Sequence, residues 1–297
     1  MAGSSRAELT VVGYRLAATA ARLLPPRAFG AVCRLVGLGS RALAPDARKM
    51  VARHQRRLDP WLEGGALRRR VDDVFAGYTH YWIESLRLPT LSVDRVRRGL
   101  VVEGWEHVAD GLAAGRGVIL ALPHLGGWEW AGRWLADRGV PVTAVAERLN
   151  PPELFEWMTR LRSDLGIRVL ALGPEATTGV AAALRRNEVV CLLCDRDVGR
   201  TGIEVDFLGE TTTLPAGPAT LALRTGAVLL PTAVHHTDAR EAHLGRVLPP
   251  LDTERSTLGL RADVARVTQA LADRLAELVR ASPEQWHLLQ PNWPSDR

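Results

Sequence analysis

Residues 118–130 read VILALPHLGGWEW, and the predicted fold is built around this stretch. The continuous apolar run at 118–122 is typical of a strand buried on both faces of a sheet. Pro123 ends that strand because proline has no N–H to donate to a sheet ladder. His124 is therefore expected at the carboxyl end of a strand, which is the edge where open α/β sheets bind their ligands.

The residues after His124 predict how this histidine is used. Gly126 and Gly127 permit a tight turn, and the next helix is expected at 128–135, with Glu129 in its first turn. A histidine with a pKa near its usual value of about 6.5 can take a proton from an attacking hydroxyl, while a carboxylate fixes its tautomer. We expect Glu129 to play that part, with the amides of Gly126 and Gly127 binding a developing oxyanion. The alternative is a structural histidine in a strand-to-helix loop.

Downstream of residue 99, strand-like and helix-like patterns alternate, which predicts an α/β fold with a mostly parallel central sheet flanked by helices. No glycine-rich dinucleotide motif and no phosphate-binding loop follows any of these strands, so nucleotide-dependent oxidoreductases and nucleotide hydrolases lose their main support. Strands are predicted at 99–103, 117–122, 141–146, 167–171, 188–194 and 228–234, and helices at 105–114, 128–138, 151–165, 176–186, from 214 onward, and at 261–281.

Residues 1–90 are expected to be a helical portion of the same single domain (1–297), whose α/β catalytic core spans 99–293. Helices are predicted at 28–42, 46–57 and 66–86. Before them, apolar residues recur at helical spacing and form a stripe that either packs on the catalytic core or lies in a membrane interface. No apolar run reaches the ~18 residues of a transmembrane helix. The stripe consists of Leu9, Val12, Leu16, Ala20 and Leu23.

Composition limits the partners. The formal net charge of +5 and the isoelectric point of about 9.7 suit anionic partners, such as nucleic acid, an anionic membrane surface or the phosphates of coenzyme A. The three cysteines are too few for a disulfide framework and are expected to be core thiols. His235 and His236 are neighbours on a strand and point to opposite faces, so a shared metal ion is not expected there. The sequence predicts no metal.

Further polar residues follow other predicted strands and are expected to converge on His124 as substrate-binding groups. Two groups of these residues, 147–148 and 195–197, come directly after predicted strands. Asp195 or Glu204 is a candidate second carboxylate beside His124. The alternative for the Asp-Arg-Asp loop is a structural ion pair. The candidates are Glu147, Arg148, Arg162, Asp195, Arg196, Asp197 and Arg224.

The motif HLGGWE at 124–129 resembles the histidine, four residues and acidic residue signature of glycerolipid and lipid A acyltransferases. Its form with Leu-Gly, a small residue and Trp is similar to the lipid A biosynthesis (lauroyl and myristoyl) acyltransferases, whose actinobacterial branch comprises the phosphatidylinositol mannoside acyltransferases. Glutamate stands where the family more often has aspartate. In that family the DRD-like stretch and the Gly-x-Glu-Val-x-Phe-x-Gly segment at 202–209 line the donor and acceptor site.

The resemblance implies transfer of a long-chain acyl group from acyl-CoA to a sugar hydroxyl of a membrane glycolipid, most specifically a mannose of phosphatidylinositol mannoside. No nucleophile-elbow sequence occurs, so direct transfer without an acyl-enzyme is expected. It further implies no cofactor beyond the acyl-CoA substrate, no nucleic-acid partner, and a peripheral position on the cytoplasmic face of the membrane. The alternatives are an acyltransferase acting on lipid A or a lysophospholipid, and a non-catalytic lipid-binding protein.

Overall fold

The computed structural model describes residues 2–25, 27–237 and 242–296, with side chains from residue 11 onward. The predicted apolar runs form strands, and additional strands follow residue 202. In the described residues the strands are β1 (Leu100–Glu103), β2 (Val118–Leu122), β3 (Val142–Ala146), β4 (Ile167–Ala171), β5 (Val189–Leu193), β6 (Ile203–Phe207), β7 (Glu210–Leu214), β8 (Val228–His236) and β9 (His243–Val247).

The central sheet has the order β1-β9-β8-β2-β5-β3-β4. Strand β2 lies inside it, with Val118 opposite Val189 of β5 on one side and Val228 of β8 on the other, both in parallel register. Among the strands that the structure describes in this sheet, only β8 and β9 pair antiparallel, while β6 and β7 form a separate antiparallel hairpin. The prediction of a mostly parallel sheet is confirmed, and all five residues of β2 are buried as their uninterrupted apolar sequence requires.

Helices cover both faces of the sheet. Apolar residues of α9 to α11 form one core with β2, β5 and β8, and those of α5 to α7 form the other. The helices in the described residues are α1 (Ala2–Leu23), α2 (Phe29–Leu43), α3 (Pro45–Leu58), α4 (Gly64–Arg87), α5 (Val93–Arg98), α6 (Trp105–Ala113), α7 (Trp128–Ala136), α8 (Pro152–Asp164), α9 (Pro174–Arg185), α10 (Gly217–Thr225) and α11 (Leu260–Ala281).

The N-terminal portion is helical, as predicted. Helices α1, α2 and α3 each pack against α4, and α1 also contacts α8 through a small apolar cluster that includes Ala18, Ala21 and Met158. Within the described part of the chain, no helix combines the length and the apolar composition that crossing a bilayer requires.

Candidate active site

His124 lies at the carboxyl end of β2, where the sequence predicts it. Gly126 has a φ of 62°, a conformation that glycine adopts without a steric penalty. A Cβ atom on Gly126 would lie 1.8 Å from the carbonyl oxygen of Val234. The chain therefore passes directly against β8 before α7 begins, and this close passage fixes the position of His124 at the edge of the sheet.

The partner of the His124 ring is Asp195. Its Oδ1 lies 2.6 Å from Nδ1 of His124, and its Oδ2 accepts from the peptide N–H of His124 at 2.9 Å and from Nε1 of Trp286 at 2.8 Å. Asp195 directly follows Cys194, whose N–H donates to the carbonyl oxygen of Leu122 at 2.8 Å. Strands β2 and β5 are parallel neighbours, so the residues after their carboxyl ends meet at one edge of the sheet.

The Asp195 carboxylate is completely buried. Burial raises its pKa, but the charge of His124 and the hydrogen bonds from His124 and Trp286 outweigh that effect, and the net pKa of Asp195 is lowered. An ionised Asp195 accepts hydrogen bonds only, so Nδ1 of His124 is the nitrogen that carries the proton. The other ring nitrogen, Nε2, is then left as a proton acceptor, which is the state that a general base needs.

The prediction that Glu129 orients His124 is wrong. Glu129 does lie in the first turn of α7, but its Oε1 accepts from the hydroxyl of Tyr81 at 3.1 Å and from Nε and Nη2 of Arg162 at 2.9 and 2.6 Å. The carboxylate is buried, and a buried charge is stable only when paired and hydrogen-bonded. Arg162 supplies that pairing, so Glu129 joins α7 to α4 and α8 at the wall of the site.

The predicted oxyanion site at Gly126 and Gly127 is also wrong. The N–H of Gly126 donates to the carbonyl oxygen of Gln285 at 3.1 Å, and that of Gly127 donates to the carbonyl oxygen of Val234 at 2.9 Å. Both amides already have acceptors within the protein. Their hydrogen bonds hold the turn against β8 and the C-terminal segment, and neither amide is available to a substrate oxygen.

Three other candidates lie away from the histidine. Glu204 is exposed on the β6–β7 hairpin, so it is not the second carboxylate beside His124, and Arg148 and Arg224 are exposed as well. None of the three lines the cavity at His124. Glu204 is exposed because side chains alternate along β6: Val205 and Phe207 face the core, and Glu204 faces the opposite side.

The remaining candidates are at the cavity. Arg196 forms an ion pair with Glu147, but its buried Nε has no hydrogen-bond partner. Asp197 accepts from the N–H of Gly202 at 2.8 Å and from the hydroxyl of Thr213 at 2.9 Å. The alternative of a structural Asp–Arg pair is therefore wrong: Asp197 fixes its own loop by accepting these hydrogen bonds, and Arg196 pairs with Glu147 and keeps one N–H for a ligand.

The cavity beside His124 has a volume of about 720 Å³. Its wall is largely apolar and comes from β2, β3, β5, α7 and the segment that opens α10. The apolar part includes Leu120, Leu122, Leu135, Val142, Val145, Met158, Ile167, Val180, Leu192 and Leu221.

The C-terminal segment contributes residues that the sequence interpretation missed. Besides Trp286, Asn292 donates through Nδ2 to the carbonyl oxygen of Asp195 at 3.0 Å. His287 is buried, lines the cavity, and has no hydrogen-bond partner at either ring nitrogen, although its peptide N–H donates to the carbonyl oxygen of His124 at 2.7 Å. The signal for these residues in the sequence is the polar and aromatic composition of PEQWHLLQPNW at 283–293.

A family model described as bacterial lipid A biosynthesis acyltransferase matches residues 18–295. The chain belongs to this acyltransferase family. It is thus an enzyme, and the resemblance inferred from HLGGWE is confirmed. Within the family, the acyltransferase is 47% identical over 224 residues to a phosphatidylinositol mannoside acyltransferase of Mycobacterium tuberculosis, which covers 74% of this chain and 68% of that protein.

Two further relatives show where the chain lies within the family. The acyltransferase is 44% identical to a phosphatidylinositol mannoside acyltransferase of Mycolicibacterium smegmatis, over 74% of this chain and 71% of that protein. It is 27% identical to a lipid A biosynthesis lauroyltransferase of Escherichia coli, over 65% of this chain and 61% of that protein. The similarity to the mycobacterial enzymes is therefore considerably higher.

Proposed function

We propose that this acyltransferase moves a long-chain fatty acyl group from acyl-CoA to a sugar hydroxyl of a membrane glycolipid, a mannose of phosphatidylinositol mannoside. The observation that carries the proposal is the His124–Asp195 pair, with Oδ1 2.6 Å from Nδ1, at an apolar cavity of about 720 Å³. The names of the mycobacterial relatives support the acceptor.

In the proposed reaction, Nε2 of His124 takes the proton of the acceptor hydroxyl while Asp195 stabilises the imidazolium that forms. The alkoxide attacks the thioester carbonyl and forms the new C–O bond, and the C–S bond then breaks. The proton on Nε2 passes to the departing thiolate, so the products are an ester and free coenzyme A. His124 returns to its starting state and no protein atom is acylated.

The chemistry of the cavity wall supports direct transfer. Cys191 is the cysteine that lines the cavity within the described residues, and burial raises its pKa to about 12, with the charge of Glu129 adding to the effect. The nucleophilic form of cysteine is the thiolate. Cys191 therefore stays protonated at neutral pH, and the acceptor hydroxyl is the nucleophile of the proposed reaction.

The unpartnered Nε of Arg196 is the donor we assign to the thioester oxygen as negative charge develops on it. Arg196 lines the same cavity as His124, and a guanidinium N–H in a site shielded from water stabilises an oxyanion more than it does in bulk solvent. Glu147 holds the other end of the guanidinium, which limits the rotation of the side chain. This assignment replaces the glycine amides of the initial hypothesis.

The acceptor and the donor are tested together. Purified protein is incubated with palmitoyl-CoA and phosphatidylinositol mannoside in mixed vesicles, and the lipid products are measured by mass spectrometry. We expect one added palmitoyl group on a mannose. Parallel reactions contain a lipid A precursor or a lysophospholipid as acceptor, or palmitoyl carrier protein as donor. Preferential acylation of either alternative acceptor would reject the proposed glycolipid.

A membrane surface is the proposed partner of the N-terminal helices. The stripe predicted from the sequence does not pack on the catalytic core, because Val12, Leu16, Ala20 and Leu23 are exposed on α1; the Leu9 side chain lies outside the described residues. Helix α2 adds exposed Leu35, Val36, Leu38 and Leu43. Exposed arginines on the same helices suit anionic headgroups. We place the protein peripherally on the cytoplasmic face, where acyl-CoA is available.

Replacing Leu16 and Leu35 together with glutamine is expected to lower partitioning onto anionic vesicles by about 10-fold or more. These side chains are 66% and 70% exposed, and each would contribute about 1–2 kcal/mol on entering the interface. Co-sedimentation with vesicles measures the effect. The matched control is Leu258→Gln, a leucine that is 81% exposed before α11. Equal partitioning of the double variant and the control would contradict the membrane assignment.

His287 is the residue we assign to acceptor recognition. Burial lowers its pKa well below the usual range, so the ring is neutral and has one N–H donor and one acceptor nitrogen. His287→Phe is expected to raise the KM for the glycolipid by about 3- to 10-fold, the value of one uncharged hydrogen bond, and to leave the KM for acyl-CoA unchanged. His287→Asn, which keeps a donor and an acceptor, should recover part of the loss. An unchanged glycolipid KM in His287→Phe would exclude this contact.

A further inference from the structure

Behind the active-site loop, three imidazoles surround one buried carboxylate. Nε2 of His80 lies 3.5 Å from Oε2 of Glu84, and Nε2 of His236 lies 3.4 Å from Oε1. His80 and Glu84 are one turn apart on α4, whereas His236 ends β8. The ligand atoms of these three residues all lie within 4.8 Å of one another.

The geometry points to a divalent metal site formed by His80, Glu84 and His236, which takes Zn²⁺ or a similar late first-row ion. Ligand atoms about 2.1 Å from a tetrahedral zinc ion are about 3.4 Å apart. Nε2 of His236 lies 3.4 Å from one oxygen of Glu84 and Nε2 of His80 lies 3.5 Å from the other, both close to that spacing. Both distances are also longer than good N–H···O hydrogen bonds, which are about 2.7–3.2 Å. Two imidazoles and one carboxylate are a donor set that zinc binds in proteins, with water in the fourth position.

A fourth residue supports the carboxylate from outside the proposed ligand set. Nε2 of His243 lies 3.0 Å from both oxygens of Glu84, while its Nδ1 lies 3.0 Å from the carbonyl oxygen of Gly99. The Trp130 ring packs against His243 with centroids 4.4 Å apart. Such outer contacts orient the ligands of metal sites and contribute to their affinity.

The site differs from the metal pair that the sequence argument excluded. His235 turns to the other face of β8, where Nδ1 is 3.1 Å from the hydroxyl of Ser282, so His236 is paired with His80 from α4 instead. The side chain of His80 is 29% exposed, which provides an entry path from solvent. The rings of His80 and His236 are stacked with their centroids 4.0 Å apart, so the two imidazoles are already adjacent at the carboxylate.

The position of the site indicates a structural role. A Cβ atom on Gly127 would lie 2.9 Å from Oε1 of Glu84, so the carboxylate lies against the turn that follows His124. A metal ion bridging α4 and β8 at this point would hold both elements on which that turn rests. We therefore expect bound metal to raise thermal stability, and its binding can be measured without any assay of acyl transfer.

The test uses the full chain without an affinity tag, stripped by a chelator and then titrated with Zn²⁺ alone. We expect one zinc per chain after desalting, measured by inductively coupled plasma mass spectrometry. The Tm should rise by about 5 °C or more when the ion is in large excess over its Kd. Co²⁺ in its place should give the visible absorption of a tetrahedral site.

Variants at the partly exposed His80 test the location, since they disturb the core least. His80→Ala should weaken zinc binding at least about 10-fold, whereas His80→Cys, which supplies a thiolate ligand, should retain it. The matched control is His107→Ala, a partly exposed histidine on α6, which should bind zinc like the unmodified chain. Binding of less than one-tenth equivalent by the unmodified chain, or equal affinity in His80→Ala, would overturn the site.

Discussion

Replacing His124 with alanine is expected to lower kcat for acyl transfer by about 10²- to 10⁴-fold, the usual contribution of a general base. Nε2 of His124 is the proton acceptor that Asp195 leaves available at the cavity, so the variant has no group at this position to deprotonate the acceptor hydroxyl. Initial rates at saturating acyl-CoA and glycolipid measure the effect. The rate of spontaneous thioester hydrolysis, measured without protein, is subtracted from the initial rates of both proteins.

The expected loss is chemical and not structural. The His124 side chain is 26% exposed and lies at the cavity, so its removal leaves no sealed void in the core. Palmitoyl-CoA binding, measured by calorimetry, should therefore be close to that of the unmodified protein, and the Tm should fall only by the loss of one hydrogen bond to Asp195, whose Oδ2 keeps the peptide N–H of residue 124 and Trp286 as donors. His107→Ala should retain full activity. If His124→Ala turned over within threefold of the unmodified enzyme while folded, His124 would not be the base.

The fold was predictable wherever a strand carries an uninterrupted apolar run. Strands β2, β5 and the first residues of β8 are such runs, and the helices between them are amphipathic, so local sequence was sufficient. Strand β9 was missed because HLGRV alternates small, charged and apolar residues. It becomes a strand through nonlocal pairing with β1 and β8, and no pattern within five residues encodes those partners.

The location of the base was predictable, but its partner was not. His124 lies in a local strand–proline–histidine–glycine sequence, and the order of elements alone brings it to the carboxyl edge of the sheet. The spacing of five residues from His124 predicted correctly that Glu129 lies on α7. It did not predict the direction in which the Glu129 side chain points. That direction depends on Arg162 and Tyr81, which come from α8 and α4 and neutralise the buried carboxylate.

The local sequence likewise could not identify Asp195 as the partner of His124. The sequence offered both Asp195 and Glu204 as candidates for a second carboxylate, Asp195 directly after a predicted strand and Glu204 in the 202–209 segment that follows it. Two features of the fold select Asp195 over Glu204. Strand β5 is the neighbour of β2 in the sheet, and Trp286 donates to Asp195 from 91 residues away. Neither strand order nor that contact is contained in a local motif.

Replacing Asp195 with asparagine is expected to lower kcat by about 10²- to 10⁴-fold while the fold is retained; in serine proteases the corresponding change costs about 10⁴. Oδ2 of Asp195 accepts from the peptide N–H of His124 and from Trp286. In the variant those two donors require the amide oxygen at that place, so the NH₂ group must face Nδ1 of His124. Nδ1 then becomes the acceptor, the proton moves to Nε2, and the base is lost. Nitrogen-15 chemical shifts of the His124 ring measure the tautomer directly.

The matched variant is Glu129→Gln, because the sequence makes both Glu129 and Asp195 candidates for the carboxylate that orients His124. Glutamine keeps an oxygen for Arg162 and Tyr81 but removes the charge beside a buried guanidinium, so its main effect should be a lower Tm, with unfolding easier by about 1–3 kcal/mol. The His124 tautomer should be unchanged, and kcat below the new Tm should stay within about 10-fold of the unmodified enzyme. A tautomer change in Glu129→Gln but not in Asp195→Asn would return the role to Glu129, because only the residue that contacts Nδ1 can decide which ring nitrogen carries the proton.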